Sequence, residues 1–77
     1  MKVSFEDLRG IAADIFQVAP KRINRESSPE TIESWDSLQH LNLILELEQR
    51  FGLEFEPEEM ERMTSIDAIL SILDEKQ

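Results

Sequence analysis

Asp36-Ser37-Leu38-Gln39-His40-Leu41-Asn42-Leu43-Ile44-Leu45-Glu46-Leu47-Glu48-Gln49-Arg50-Phe51-Gly52 is the most hydrophobic stretch of the chain and the only one that reads as a central helix. Asp36 suits the N-cap, because its carboxylate can accept from the otherwise unpaired amides of the first turn. Gln39, at the third helical position, is expected to reach back as in a capping box. Gly52 can take the left-handed conformation that closes the far end. Ser37 then falls on the first helical residue, its hydroxyl beside the partly positive end of the helix dipole. That end favours an anion, so a serine there is well placed to carry a phosphate ester.

With Ser37 set at zero and about 100° per residue, Leu41, Ile44, Phe51, Leu47 and Leu43 fall on one side, the expected core face. Leu38 and Leu45 extend the apolar arc to about 220°, well beyond the core stripe of an ordinary surface helix. Three neighbouring helices cover only part of such an arc. Leu38 and Leu45, flanked by Glu46 and Glu48, are therefore expected at the surface near Ser37, as a docking edge. The competing reading lays the long preceding loop over them.

Upstream, Ser4-Phe5-Glu6-Asp7 reads as a capped helix start, and Phe5, Leu8, Ile11, Ala12 and Ile15 recur at helical spacing to about residue 17. Ala19-Pro20 is expected to end that helix, since the residue before a proline is pushed out of helical geometry. Residues 18–35 form a long connection in which Val18, Ile23, Ile32 and Trp35 are anchors. Lys21, Arg22 and Arg25 make a small basic cluster, Ser27-Ser28-Pro29 reads as the most exposed turn, and Pro29-Glu30-Thr31-Ile32 as a short helical turn.

Downstream, Leu53 and Phe55 alternate inward along a short extended segment. Pro57-Glu58-Glu59-Met60 starts a very short helix, with proline at its first position and acids in its first turn. Thr64-Ser65-Ile66-Asp67 reads as a further capping box, and Ile66, Ile69, Leu70 and Leu73 follow at helical spacing to about Asp74. Glu75-Lys76-Gln77 is expected to fray. The reading is all-α: three main helices, one short helix and a long first loop in a single domain, residues 1–77.

Composition narrows the function. The 77 residues contain no cysteine, so neither a disulfide nor a thiolate metal site holds the fold, and any thiol chemistry has to be imported. No run approaches the roughly 18 apolar residues of a membrane span, and Glu6, Asp7, Arg9 and Asp14 interrupt any apolar leader, so a cytoplasmic domain is expected. The net charge of −9 is uneven: residues 1–25 carry five basic and three acidic side chains, whereas residues 26–77 carry three basic and fourteen acidic. Such an acidic surface disfavours nucleic acid and favours basic protein surfaces. No heptad seam is present, so a monomer is expected.

Direct catalysis is poorly supported. His40 lies one turn from Ser37, but the pair has neither a glycine-rich elbow nor an orienting third group, and lining the rim or packing under the loop suits His40 better. Glu58, Glu59 and Glu61 have the spacing of a solvated face rather than of a metal loop, and Met60 and Met63 that of core filler or adaptable contact surface. What remains is Ser37 as a site of modification.

On these residues the sequence resembles the acyl carrier protein family. The match runs through Asp36-Ser37-Leu38, the apolar run to Phe51-Gly52, the acidic helix Glu58-Glu59-Met60-Glu61-Arg62-Met63 and Thr64-Ser65-Ile66, nearly the whole chain. The resemblance implies an acyl-carrier-like four-helix bundle that is not itself an enzyme. It implies 4′-phosphopantetheine on Ser37, transferred covalently from coenzyme A by a phosphopantetheinyl transferase, with Asp36 and Leu38 completing the motif. Cargo would ride as a thioester on the arm's thiol, between acyl-loading and acyl-transfer enzymes with basic docking surfaces. Leu38, Leu45, Glu46, Glu48, Glu58, Glu59 and Met60 would meet those partners.

Ser34-Trp35 stand where fatty-acid carriers have a Gly-Ala-like pair, and Gln39 and Asn42 where they have acids. Those departures favour a specialised polyketide, modified-lipid or related pathway over the main fatty-acid synthase. Two alternatives accompany this reading: an aminoacyl carrier, such as a D-alanyl carrier, and an acidic helical interaction module in which Asp36 is merely a cap.

Overall fold

The computed structural model describes residues 3–76 and contains four α-helices in the order expected: α1 Phe5–Phe16, α2 Ser37–Phe51, α3 Pro57–Arg62 and α4 Ile66–Lys76. A 3-10 turn, Pro20–Arg22, interrupts the first loop. It has no counterpart in the sequence reading.

Local chemistry sets most of the boundaries. At the start of α1 the Asp7 amide donates to Ser4 Oγ at 3.1 Å, and the Ser4 amide to Asp7 Oδ2 at 3.4 Å. The helix stops at Phe16, before Ala19-Pro20 is reached, because Gln17 turns left-handed at φ 57 and the amides of Gln17 and Val18 both return to the Ala13 carbonyl. Pro20 instead opens the 3-10 turn, where its fixed φ and missing amide cost nothing. In α2 the Gln39 amide donates to Asp36 Oδ1 at 2.9 Å, and Gly52 closes the helix at φ 64. The Gln39 side chain does not reach back. Its Oε1 accepts from Asn42 Nδ2 at 2.9 Å, a partner one turn ahead on the same face.

Helix α4 departs from expectation at both ends. Its cap is Ser65 rather than Thr64, with Ser65 Oγ accepting from the Ala68 amide at 3.1 Å. Its far end continues through Lys76, whose ammonium pairs with Glu59 at 2.9 Å and lies 5.6 Å from the Phe55 ring centroid, while Arg62 reaches Glu75 at 3.3 Å. These contacts with α3 and the segment before it hold a last turn that sequence alone leaves free. Gln77 lies outside the described residues.

Side chains from every helix meet in one core, with Leu8 and Phe16 of α1, Leu43 and Leu47 of α2, and Ile69 and Leu73 of α4 at its centre. Helix α1 packs on α2 and α4, and α3 packs on α4. The first loop is pinned as expected by Ile23, Ile32 and Trp35, all buried, with Val18 packed against the core. Ser27 is a correction: it is 3% exposed rather than at the tip of an open turn. Its hydroxyl accepts from the Asn24 amide at 2.9 Å, and its carbonyl accepts from the Ile66 amide at 2.9 Å. The Arg25 carbonyl likewise accepts from Asp67. The loop thus supplies acceptors for the orphan amides that begin α4. Arg25 also pairs with Asp67 at 3.0 Å and lies over Phe5, so the basic cluster reduces to the exposed Lys21 and Arg22.

Candidate attachment site at the start of α2

The cap that starts α2 leaves Asp36, Ser37 and Leu38 all exposed. Asp36 is committed through Oδ1 to the Gln39 amide. The amides of Ser37 and Leu38 have no acceptor among the described residues, as the geometry of a first turn requires. An oxygen-rich anion on Ser37 would therefore meet unpaired N–H groups and the positive end of a 15-residue helix.

Ser37 opens onto a groove of about 750 Å³ between the first loop, the start of α2, and α3. Pro29 and Trp35 line it from the loop, His40 from α2, and Met60 and Met63 from α3 and its end. A phosphodiester fits the serine's surroundings, and a slender, mixed polar and apolar arm fits the groove beside it. Trp35 is 2% exposed and stacks on Phe16 of α1, centroids 4.9 Å apart. Its indole N–H donates to His40 Nδ1 at 2.9 Å, so the groove wall is tied back to the core.

Leu38, Leu41 and Leu45 are 66%, 48% and 46% exposed and form a stripe on the face of α2 next to Ser37. Leu41 was expected on the core face. The buried residues Leu43, Ile44 and Leu47 centre that face on the opposite side of Ser37, and Leu41 at about +40° on the wheel falls with Leu38 and Leu45 instead.

The expected partner-facing acids do not act as one set. Glu46 is half-buried and paired with Arg50. Glu48 is half-buried and accepts from the Phe55 amide at 3.0 Å, which anchors the turn after Gly52. Glu59 accepts from the Glu56 amide at 2.8 Å and pairs with Lys76. The hydrogen bond from the Glu56 amide first, and the Lys76 ammonium second, hold its carboxyl below the ordinary value of 4.5. Glu58 alone is exposed with no hydrogen bond or ion pair among the described residues. Met60 is half-buried and faces the groove.

Of the residues singled out in the sequence, Asp36, Ser37, Leu38 and Leu45 are exposed and Met60 lines the groove, whereas the Trp35–His40 bond was not anticipated. The only signal for that bond was the chain's single tryptophan and single histidine flanking one N-cap.

Comparison with known proteins settles the family. The phosphopantetheine attachment site family model matches residues 6–73. The chain belongs to the acyl carrier protein family. It is 32% identical over 71 residues to an acyl carrier protein of Thermosynechococcus vestitus, covering 92% of this chain and 88% of that one. An acyl carrier protein of Rubrobacter xylanophilus is 34% identical over 73 residues, covering 94% and 89%. The solution structure of a holo acyl carrier protein from Geobacter metallireducens superposes with a TM-score of 0.85 at 29% identity, covering 94% of this chain and 83% of that one.

Family membership makes the chain a carrier rather than a catalyst, with phosphopantetheine as its covalent prosthetic group. A phosphopantetheinyl transferase and biosynthetic enzymes are its partners. Among the described residues no helix is long and apolar enough to cross a membrane, and no group of three or more His, Cys, Asp or Glu side chains is placed to hold a metal ion.

Proposed function

We infer that Ser37 is the residue that carries the phosphopantetheine, and that the chain shuttles acyl intermediates between enzymes of a specialised biosynthetic pathway. When bound, the group supplies the thiol that the cysteine-free chain lacks, and cargo is held on it as a thioester. The observation that carries the reading is the exposed Ser37 hydroxyl on the first residue of a capped helix, at the mouth of the groove. Asp36 sets that position by capping the Gln39 amide, and the helix N-terminus stabilises the phosphodiester charge.

The exposed Leu38, Leu41 and Leu45 stripe is the apolar part of the docking surface, and Glu58 is the acid free to meet a basic partner. Gln39 and Asn42 after the motif make the docking edge less acidic than that of a primary fatty-acid carrier, and Trp35 before it is a further departure from that pattern. A chain of net charge −9 with no self-complementary seam works as a monomer, in the cytoplasm beside soluble enzymes.

The test is site localisation. The protein loaded from coenzyme A by a broad-specificity transferase is digested and fragmented, and the added mass is expected on the peptide containing Ser37. Addition at any other serine or threonine contradicts the assignment.

A further inference from the structure

We propose that His40 is a positioning residue for the group attached at Ser37: its Nε2–H donates a hydrogen bond to the phosphodiester, and Trp35 holds His40 in the tautomer that can do so. The proposal rests on Ser37 being the attachment residue. Its starting point is the buried indole. A tryptophan N–H is a donor only, so at 2% exposure it needs an acceptor, and His40 Nδ1 provides one at 2.9 Å. The two rings are stacked, centroids 6.0 Å apart with planes 21° from parallel, and Trp35 is itself stacked on Phe16. The imidazole is thus oriented from behind by the core.

That orientation decides its chemistry. A neutral imidazole carries one ring proton, and the nitrogen that accepts from Trp35 cannot be the one that bears it. The proton is on Nε2, on the far side of the ring, where it has no acceptor among the described residues. Ser37 and His40 are three residues apart on α2, neighbours on the helix surface, and both line the same groove. A phosphodiester accepts hydrogen bonds and offers none, which matches a side chain fixed as a donor. The same fixation rules out His40 as a base toward the Ser37 hydroxyl, because neither ring nitrogen keeps a free lone pair. What looks like half of a catalytic pair is a clamp.

The chain has one histidine and one tryptophan, so nuclear magnetic resonance of the loaded protein is free of overlap at both rings. In mildly alkaline buffer, long-range proton–nitrogen spectra of 15N-labelled protein are expected to show Nδ1 unprotonated and Nε2 protonated. The Nε2–H signal, broadened by exchange with water before loading, is expected to sharpen afterwards. His40→Asn keeps an acceptor for the indole but has no donor at the Nε2 position, its amide N–H2 lying nearer the backbone, and should displace the phosphorus-31 resonance. His40→Gln keeps a donor at the Nε2 position and should bring that resonance back toward wild type. A protonated Nδ1 overturns the proposal. So does an unsharpened Nε2–H together with an unmoved phosphorus resonance in His40→Asn. Should that variant not fold, the wild-type Nε2–H signal decides alone. A wild-type protein that gains no mass overturns the attachment reading and this proposal with it; a loaded protein in which the Nε2–H stays unsharpened and the resonance unmoved overturns only the role of His40.

Discussion

Two apolar faces of α2 carry much the same side chains and have opposite fates. Leu43, Ile44 and Leu47 are 2% exposed or less, whereas Leu38, Leu41 and Leu45 are between 46% and 66% exposed. Nothing in residue type separates them. The difference is geometric: α1 and the rest of the core cover one side of the helix, and among the described residues no element covers the other. A small domain has too few neighbours to bury so wide an arc. The uncovered leucines, contiguous with Ser37, are the surplus apolar surface, and the docking face proposed for partner enzymes.

The largest effect expected from this contrast is on stability. Leu47→Ala removes a side chain with no exposed surface and should cost about 3 kcal/mol in urea or thermal unfolding. A cost below about 0.5 kcal/mol would mean that the core face is drawn wrongly. On the opposite face, Leu41→Ser should leave stability within about 0.5 kcal/mol of wild type. It should slow transfer of cargo to a cognate enzyme about tenfold, the size of a moderate interface residue. Loss of stability in Leu41→Ser, or unchanged transfer when Leu38, Leu41 and Leu45 are all replaced, would erase the distinction between the faces.

The smallest effect concerns an acid expected at the docking surface that serves the fold. Glu59 has its carboxyl held below 4.5 by the Glu56 amide and Lys76. A depressed value means that its contribution is present above the ordinary carboxylate range and is lost as pH falls through the folded-state value. Glu59→Gln, which resembles the protonated form, should be slightly less stable than wild type at neutral pH. The gap should close on acidification below pH 4.5, measured as paired unfolding curves. A gap that persists in acid would assign the loss to shape rather than charge.

These contrasts show which parts of the molecule its sequence discloses. Features set within one turn of chain were legible: the Ser4 and Asp36 caps, Gly52, Pro57 at the start of α3, and the inward Phe55. Features set by a partner distant in sequence were not. Ser27 reads as an open turn because its acceptor role depends on Ile66, and the tail of α4 reads as frayed because Glu59 and Phe55 hold Lys76 from outside the helix. Gln17 is a different case. Its left-handed backbone is unusual for a residue with a side chain, so nothing in its identity announces the end of α1. At the candidate site, Asp36 and Ser37 could be named from the chain, whereas the groove from Pro29, Met60 and Met63 exists only after three segments pack together.

The central claim is tested most directly by intact mass after incubation with coenzyme A, Mg²⁺ and a broad-specificity phosphopantetheinyl transferase, run on the wild type and Ser37→Ala side by side. The account predicts a single phosphopantetheine increment on the wild type and none on the variant, with helical content equal in both. An increment retained by Ser37→Ala, or a folded wild type that gains nothing from several transferases, would contradict it.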